Sequence, residues 1–420
     1  MNKKMKDSNL QWIEEIPESW EVKPFKYILK KKKTIIDKYN GEDVLSLSVK
    51  GVLKKDLDNP FGKLPASFDD YQSVEKGNLL LCLFDIDVTP RCVGIIEDNG
   101  ITSPAYSQYQ LTNNYDINYY YYLLLSMDLD KVLVSYSRTL RSSLTDEYFG
   151  AIKTIVPPLN EQKKISNFLK LETKSIDEII SSTKQSIELI KKLKRTLITE
   201  SVTKGINNNI TLVENKKVDW IDKYPIHWKL NKINRLFEIK KNIANDSGYD
   251  VLSVTQKGLK VKDISKNEGQ MAADYSKYQL VNKGDFVMNH MDLLTGWIDC
   301  SNNEGVTSPD YRVFKNRNKE VAYNNYYKYV FQTCYSNKIF YGLGQGVSNL
   351  GRWRLQTDKF LNFYIPVPPL DEQIKIAEYI DQKIHQIDEL IIEKENIIKE
   401  FETYKKSLIY EYVTGKKEVL

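Results

Sequence analysis

Hydrophobic and polar positions alternate between two regimes along the chain. In the first regime, short β-branched and aromatic runs are cut by Gly, Asp, Asn and Pro, as in Val44–Val49, Leu79–Phe84, Val93–Ile96 and Gln108–Leu111. That pattern predicts a mixed α/β domain with a substantial sheet. The tyrosine-rich stretches Tyr119–Met127 and Tyr326–Gln332 are predicted as helices. The second regime begins after Pro157-Pro158-Leu159, where no Gly or Pro occurs until Gly205, and again after Pro368-Pro369-Leu370, where none occurs until Gly415. Each predicts one long helix, with Asn160 or Asp371 as N-cap and Glu161 or Glu372 in the first turn.

The regimes occur in the order domain, helix, domain, helix because the chain is an internal repeat. Trp12-Ile13, Pro17 and Trp20 recur as Trp220-Ile221, Pro225 and Trp228. Val44-Leu45-Ser46 returns as Val251-Leu252-Ser253, and Tyr71-Gln72 with Lys76-Gly77 as Tyr278-Gln279 with Lys283-Gly284. Gly100-Ile101-Thr102-Ser103-Pro104 returns as Gly305-Val306-Thr307-Ser308-Pro309, and Pro157–Gln162 as Pro368–Gln373. Five collinear matches make the protein two copies of one unit.

Within the helices, apolar residues recur at 4-3 spacing, the pattern of a coiled-coil seam. The seam expected from the first helix is Ile165, Leu169, Ile176, Ile179, Ile190, Leu193 and Leu197. From the second it is Ile376, Ile380, Ile387, Leu390, Ile397, Phe401 and Leu408. Residues 160–204 carry 10 Lys/Arg against 6 Asp/Glu, and residues 371–414 carry 6 against 11. The opposite signs, +4 and −5, favour pairing of the two helices with each other over self-association.

Composition narrows the functional classes. The 420 residues carry 61 Lys+Arg and 56 Asp+Glu, so the net charge is +5, and about +6 lies outside the helices. Asn78–Phe84 and Ile117–Met127 are too short to span a membrane, and Met1–Leu10 lacks the apolar core of a secretory signal. The four cysteines, Cys82, Cys92, Cys300 and Cys334, form no CxxC pair and are expected as reduced thiols of a cytoplasmic protein. Three histidines make a His-rich metal centre improbable. No GxxxxGK[ST] loop is present, the Pro-Pro pairs follow Val156 and Val367, and Pro309-Asp310 has no acidic-x-Lys sequence in the next 30 or so residues. These features argue against an ATP motor, an amino-methyltransferase and the common nuclease constellation in this chain. Gly342-Leu343-Gly344-Gln345-Gly346 is not followed by a helix pattern and is expected as a binding loop.

Antiparallel helices in this order place two related domains about a pseudo-twofold axis, a geometry suited to duplex DNA with two inverted half-sites. The domains differ in sequence, so the half-sites should differ too.

The order sheet domain, Pro-Pro-Leu-x-Glu-Gln, long helix, repeated once, resembles the specificity (S) subunit of type I restriction–modification systems. The resemblance covers essentially the whole chain. It is most specific at Ile365–Gln373, at its twin Ile155–Gln162, at Trp20 and Trp228, and at Lys406–Gly415. It implies an α+β protein with two pseudo-repeated α/β target recognition domains, with twisted sheets, separated by two long antiparallel coiled-coil helices. The domains are expected at 1–157 and 212–367, the conserved helices at 158–204 and 368–420, and a linker at 205–211. It further implies no catalysis by this chain and assembly with double-stranded DNA, two methyltransferase subunits and restriction subunits. No cofactor is expected on the chain itself, with S-adenosylmethionine, ATP and Mg²⁺ on the partners. A fused methyltransferase–nuclease system and a coiled-coil scaffold that binds only proteins are the competing readings.

Phosphate contacts need Lys and Arg, and base reading favours Arg, Asn, Gln and Lys. In the first unit the candidates are Lys50, Lys54 and Lys55 around Gly51, Arg91, and Arg138, Arg141, Ser142 and Ser143 ahead of the Pro-Pro run. In the second they are Lys257, Lys260 and Lys262 around Gly258, and Gln345, Ser348, Asn349, Arg352 and Arg354. Trp20 and Trp228 are expected to anchor each leading segment, and the Ser-Pro pairs to form turns.

Overall fold

A computed structural model describes residues 4–58, 65–112, 114–137, 142–216, 218–246, 248–263, 274–346 and 353–419. The chain divides into two compact units, residues 1–184 with 395–420 and residues 185–394. Each unit holds one sheet domain, the beginning of the helix that follows it, and the end of the other long helix.

In the first unit a four-stranded antiparallel sheet runs in the order Val93–Ile95, Leu79–Leu81, Ser107–Leu111, Leu29–Lys32. Leu79, Leu80 and Leu81 are all buried, which explains a continuous apolar run in place of alternation. The helix Ile117–Leu129 packs on this sheet and buries Tyr119, Tyr120, Leu123 and Leu124. Asp116 caps it by accepting from the Tyr119 amide at 2.8 Å. A hairpin, Leu45–Ser48 with Gly51–Lys54, lies beside the sheet. The strand Lys153–Val156 pairs with Glu21–Pro24 and leads into the first long helix, Leu159–Lys204.

The second unit repeats the plan. Its sheet runs Phe237–Lys240, Arg312–Asn316, Phe286–Met288, Ile298–Cys300, and is covered by the helix Asn324–Ser336. Phe237, Phe286, Phe314 and Phe331 form an aromatic core in which Phe286 stacks on Phe314 and the other cited pairs meet edge to face. Leu252–Thr255 pairs with Gly258–Val261 as the equivalent hairpin. Tyr364–Val367 pairs with Lys229–Lys232 and leads into the second long helix, Leu370–Val413. The strands and the tyrosine-rich helices therefore stand where the periodicity put them.

The joint between sheet and long helix explains the repeated Pro-Pro-Leu-x-Glu-Gln. Trp20 donates its indole N–H to Glu161 at 2.9 Å, and Trp228 donates to Glu372 at 2.8 Å. Gln162 is 1% exposed; its amide donates to the Pro157 carbonyl at 2.7 Å and accepts from the Asp116 amide at 2.9 Å. Gln373 is fully buried; it donates to Pro368 and Val321 and accepts from the Tyr323 amide, all within 2.9 Å. The far helix end is tied in too. Tyr119 donates its hydroxyl to the Val413 carbonyl at 2.8 Å in the first unit, and Tyr326 to the Val202 carbonyl at 2.9 Å in the second. The helices begin at Leu159 and Leu370, so Asn160 and Asp371 are already helical and do not serve as N-caps.

The helices pair antiparallel within each unit. In the first, Phe168 meets Tyr412 at 4.5 Å, Asp177 meets Lys405 at 2.6 Å, and Lys184 meets Glu402 at 3.8 Å. In the second, Lys194 meets Asp388 at 2.7 Å, and Val202 shares a core with Ile376, Ala377 and Ile380. Ile165, Leu169, Ile176, Ile376, Ile380 and Leu408 are buried. Ile190, Leu197, Ile387, Ile397 and Phe401 are half-buried. Ile179, Leu193 and Leu390 are 42%, 59% and 41% exposed, which corrects their assignment to the seam. The seam passes one residue later, through Ile180, Ile187 and Lys194 on the first helix and Ile391, Ile398 and Lys405 on the second. Lysine is tolerated there because its stem covers apolar surface while its ammonium reaches an aspartate across the pair.

Candidate nucleic-acid interface

The two basic hairpins are built alike, bond for bond. In the first unit the Ser48 hydroxyl donates to the Gly51 carbonyl at 3.0 Å and accepts from the Lys50 amide at 3.1 Å. In the second, Thr255 does the same with Gly258 at 2.8 Å and Lys257 at 3.2 Å. Gly51 and Gly258 take φ of +105° and +100°, the left-handed backbone that closes each turn and favours glycine. Lys50 and Lys257 thus sit exposed at equivalent tips. The Lys55 amide donates to Val44 at 2.8 Å, and the Lys262 amide to Val251 at 2.7 Å. Both of these lysines are half-buried at the hairpin base, whereas Lys260 is exposed on the outgoing strand. Lys54 forms an ion pair with Asp43.

The second unit brings its candidates together through one turn, Asp292–Trp297. Gln256, beside Lys257, donates to the Thr295 carbonyl at 3.3 Å, and the Leu259 amide donates to Asp299 at 2.9 Å. On the other side the Leu293 amide donates to the Trp353 carbonyl at 3.3 Å, and the Leu355 amide to His290 at 3.0 Å. These bonds seat a second small hairpin, in which Gln345 pairs with Arg354 and Gly346 with Trp353. The glycine cluster is the incoming arm of that hairpin. A Cβ on Gly344 would lie 2.8 Å from a Leu293 methyl and 3.2 Å from the Tyr341 carbonyl, so any side chain there must displace Leu293. Gln345 and Arg354 are exposed on its stem. A cleft of about 270 Å³ opens nearby, with Lys262, Tyr275, Tyr278, Asn289, Asp292 and Tyr311 on its walls.

In the first unit the corresponding segment is shorter. Ser142 adopts φ +45° and its carbonyl accepts from the Ile86 amide at 3.2 Å; the Ser143 carbonyl accepts from Ser137 at 3.2 Å. Both serines are half-buried. Arg91 is half-buried and turned onto its own domain, with Nη1 3.5 Å from the Tyr121 hydroxyl. Arg138, Arg141, Ser348, Asn349 and Arg352 lie outside the described residues. The Ser-Pro turns form as expected, with Tyr106 donating to Ser103 and Tyr311 to Ser308. Buried Gln72 and Gln279 each tie both carbonyls of their turn, a support mirrored between the units.

Two titratable groups beneath the second hairpin escaped the sequence reading. His290 is 8% exposed, and burial, with the positive charges of Arg312 and Arg354 beside it, pushes its pKa down to about 3. Burial brings Arg312 down to about 10. Because the folded His290 pKa lies below its unfolded value, its contribution to stability is complete above about pH 6.5 and is lost as pH falls toward 3. Lowering the pH from 7 to 5 should therefore weaken the second unit by about 2 kcal/mol. Denaturant titrations of the wild type and His290→Gln at both pH values check this; the variant should lose that slope.

Among the described residues no helix is long and apolar enough to cross a membrane, and no cluster of three or more His, Cys, Asp or Glu could hold a metal ion. The chain matches the family model for the type I restriction modification DNA specificity domain over residues 93–191 and 225–401. It is 25% identical over 264 residues to the type I restriction enzyme MjaVIII specificity subunit of Methanocaldococcus jannaschii, a match spanning 58% of this chain and 57% of that relative's length. In fold it is similar to a chain from a structure addressing complex assembly and conformational transition of the type I R-M system, with a TM-score of 0.69 and 12% identity over 96% of this chain and 99% of that one. It is also similar to the HsdS subunit from Thermoanaerobacter tengcongensis, with a TM-score of 0.52 and 12% identity over 96% and 98% of the chains. With two thirds of its length inside that family model and both repeats represented, the chain belongs to the type I restriction modification DNA specificity family.

Proposed function

We propose that this chain is the DNA-reading subunit of a type I restriction–modification complex. It binds an asymmetric bipartite duplex, one half-site to each sheet domain, with the helix pair setting the spacer. It brings methyltransferase and restriction subunits to the DNA and performs no chemistry itself. S-adenosylmethionine, ATP and Mg²⁺ belong to those partners, and the complex acts in the cytoplasm.

The observation that carries this reading is a contrast between two sets of residues. The joints repeat between the two units in the Trp–Glu bond, the glutamine bond to the proline carbonyl and the tyrosine bond to the far helix end. The exposed basic loops on those joints share a frame and differ in side chains, as expected of one scaffold presenting two different reading surfaces. Lys50 and Lys257 are suited to phosphate; Gln345 and Arg354 have the chemistry of base edges.

The purified chain with its methyltransferase partner should bind target duplex with an affinity that falls steeply with salt. Lys257→Ala should weaken binding to all sequences alike and lower the salt slope by about one. Methylation mapping in the host supplies the half-sites for the assay. Binding that depends on neither sequence nor salt would refute the proposal and favour the protein-only scaffold.

A further inference from the structure

In the second unit Arg312 is 5% exposed, and among the described residues no carboxylate meets its guanidinium. Nη2 donates to the Leu355 carbonyl at 3.0 Å and to the Thr357 hydroxyl at 3.2 Å. The guanidinium lies 4.8 Å from the centre of the buried Phe360 ring, and Nη1 is 3.9 Å from the Met288 sulfur. Burying a cation without a counter-ion is costly, and an apolar side chain would serve packing better. Both oxygen acceptors that offset the cost lie just after Trp353-Arg354.

The first unit shows what the same place does without arginine. The repeat aligns Arg312 with Ser107 and Thr357 with Asp146. Ser107 donates to Asp146 at 3.1 Å, and Tyr109 donates to the same carboxylate at 2.7 Å, with Lys31 also on it. Both units thus latch the sheet to the first residue of the short helix ahead of the Pro-Pro run. The charge has moved from the helix in the first unit to the strand in the second. Only the arginine extends past the latch to a backbone carbonyl adjoining the small hairpin.

We propose that Arg312 is a positioning residue of the second sheet domain: its two bonds to Leu355 and Thr357 fix the paired strands Gln345–Gly346 and Trp353–Arg354 in the orientation in which Gln345 and Arg354 read the second half-site. This rests on the DNA-reading function proposed above. Among the described residues the stem's other ties include the Leu355 and Leu293 amide bonds, the packing of Trp353 on Tyr341 at 4.9 Å and a bond from the Gln356 amide to the Gln345 side-chain carbonyl, none of which reaches the sheet strand that carries Arg312. Removing the guanidinium therefore frees the stem to tilt while leaving the sheet intact. Lysine does not reproduce it: both bonds leave the single Nη2, but only a planar guanidinium lies over the Phe360 ring while making them.

The test uses the complex with its methyltransferase partner and three variants: Arg312→Met, Arg312→Lys, and the quadruple variant Arg312→Ser, Thr357→Asp, Phe314→Tyr and Ile239→Lys, which transplants the first unit's latch of Ser107, Tyr109 and Lys31 on Asp146. Binding is measured to duplexes scrambled in either mapped half-site, alongside thermal unfolding. Arg312→Met and Arg312→Lys should lose at least tenfold in discrimination at the second half-site and keep full discrimination at the first. The quadruple variant should recover the melting temperature of the wild type without recovering that discrimination. Wild-type discrimination in Arg312→Met would overturn the proposal, as would loss of both half-sites together or discrimination that simply tracks melting temperature. A wild-type complex without any sequence-dependent binding would instead refute the DNA-reading function itself.

Discussion

Gln373→Leu should destabilise the second unit by about 3–5 kcal/mol, the largest effect of any single polar substitution at the joint. Its amide is fully buried and makes three hydrogen bonds, all to backbone groups: the Pro368 and Val321 carbonyls and the Tyr323 amide. Leucine matches the volume but leaves those groups unpaired, at about 1–3 kcal/mol for each one that stays buried. For a unit of this size that is a fall of roughly 10 °C in the second unit's melting transition. Gln162→Leu breaks two such bonds in the first unit and should cost less. Differential scanning calorimetry of the two variants checks both the size and the order; a shift of only a degree or two for Gln373→Leu would mean that the amide does not hold the joint.

Gly415→Ala should cost the first unit about 2–4 kcal/mol, and Gly205→Ala the second unit about half as much. Both glycines end a long helix in the left-handed region, with φ of +74° and +80°. Alanine there loses about 1–2 kcal/mol to its Cβ. The neighbours then decide the difference. A Cβ on Gly415 would stand 2.7 Å from the Pro17 ring and 2.9 Å from Trp20, whereas one on Gly205 would meet Trp228 at 3.3 Å. The first contact forces the packed indole and proline apart, an overpacking cost of about 1–3 kcal/mol. Hydrogen exchange resolved to the two four-stranded sheets reads each unit separately. Equal loss of protection in both variants would contradict the argument.

Both predictions concern residues that the sequence marked for other reasons. The repeated Pro-Pro-Leu-x-Glu-Gln was legible as a repeat and as a helix start. That its glutamate takes a tryptophan N–H and its glutamine satisfies three backbone groups was not, because the partners lie 141 and 144 residues away for the glutamates and 50 and 52 for Gln373. The seam shows how a binary pattern misleads. The expected and observed seams share Leu169, Ile176, Ile190 and Leu197 and differ at every second position. There Ile179 competes with Ile180, and Leu193 with Lys194. Counting apolar residues favours Leu193, but it is 59% exposed, and the lysine lies at the seam with its ammonium on Asp388. Under the repeat this pair maps onto Lys405–Asp177 in the first unit. At partial exposure each such pair contributes at most about 1 kcal/mol, so the two set partner geometry more than stability. The opposite net charges of the helices were a fair guide to their pairing, although Lys405 comes from the acidic helix and Asp177 from the basic one.

The candidate interface was legible in part. The hairpin lysines follow from Lys and Gly at matched positions, and the hairpins do repeat each other's bonds. Arg91 misled because a basic residue in a loop looks the same whether it faces solvent or a tyrosine of its own domain. Arg312 and His290 carried no signal, since a single Arg or His within an alternating strand pattern reads as an outward residue.

By itself, then, the sequence determined the duplication, the sheet-then-helix order of each half, the two long helices and the family. These rest on periodicity and on local backbone preference, which act over a few residues and survive in any tertiary setting. Tertiary structure alone decided that each unit is completed by the far end of the other half's helix, through Tyr119 to Val413 and Tyr326 to Val202. It also decided which face of each helix forms the seam, and where an uncompensated arginine supports a hairpin. Those choices depend on which buried polar group finds a partner after the chain has closed on itself, over separations of up to 294 residues that no local pattern encodes.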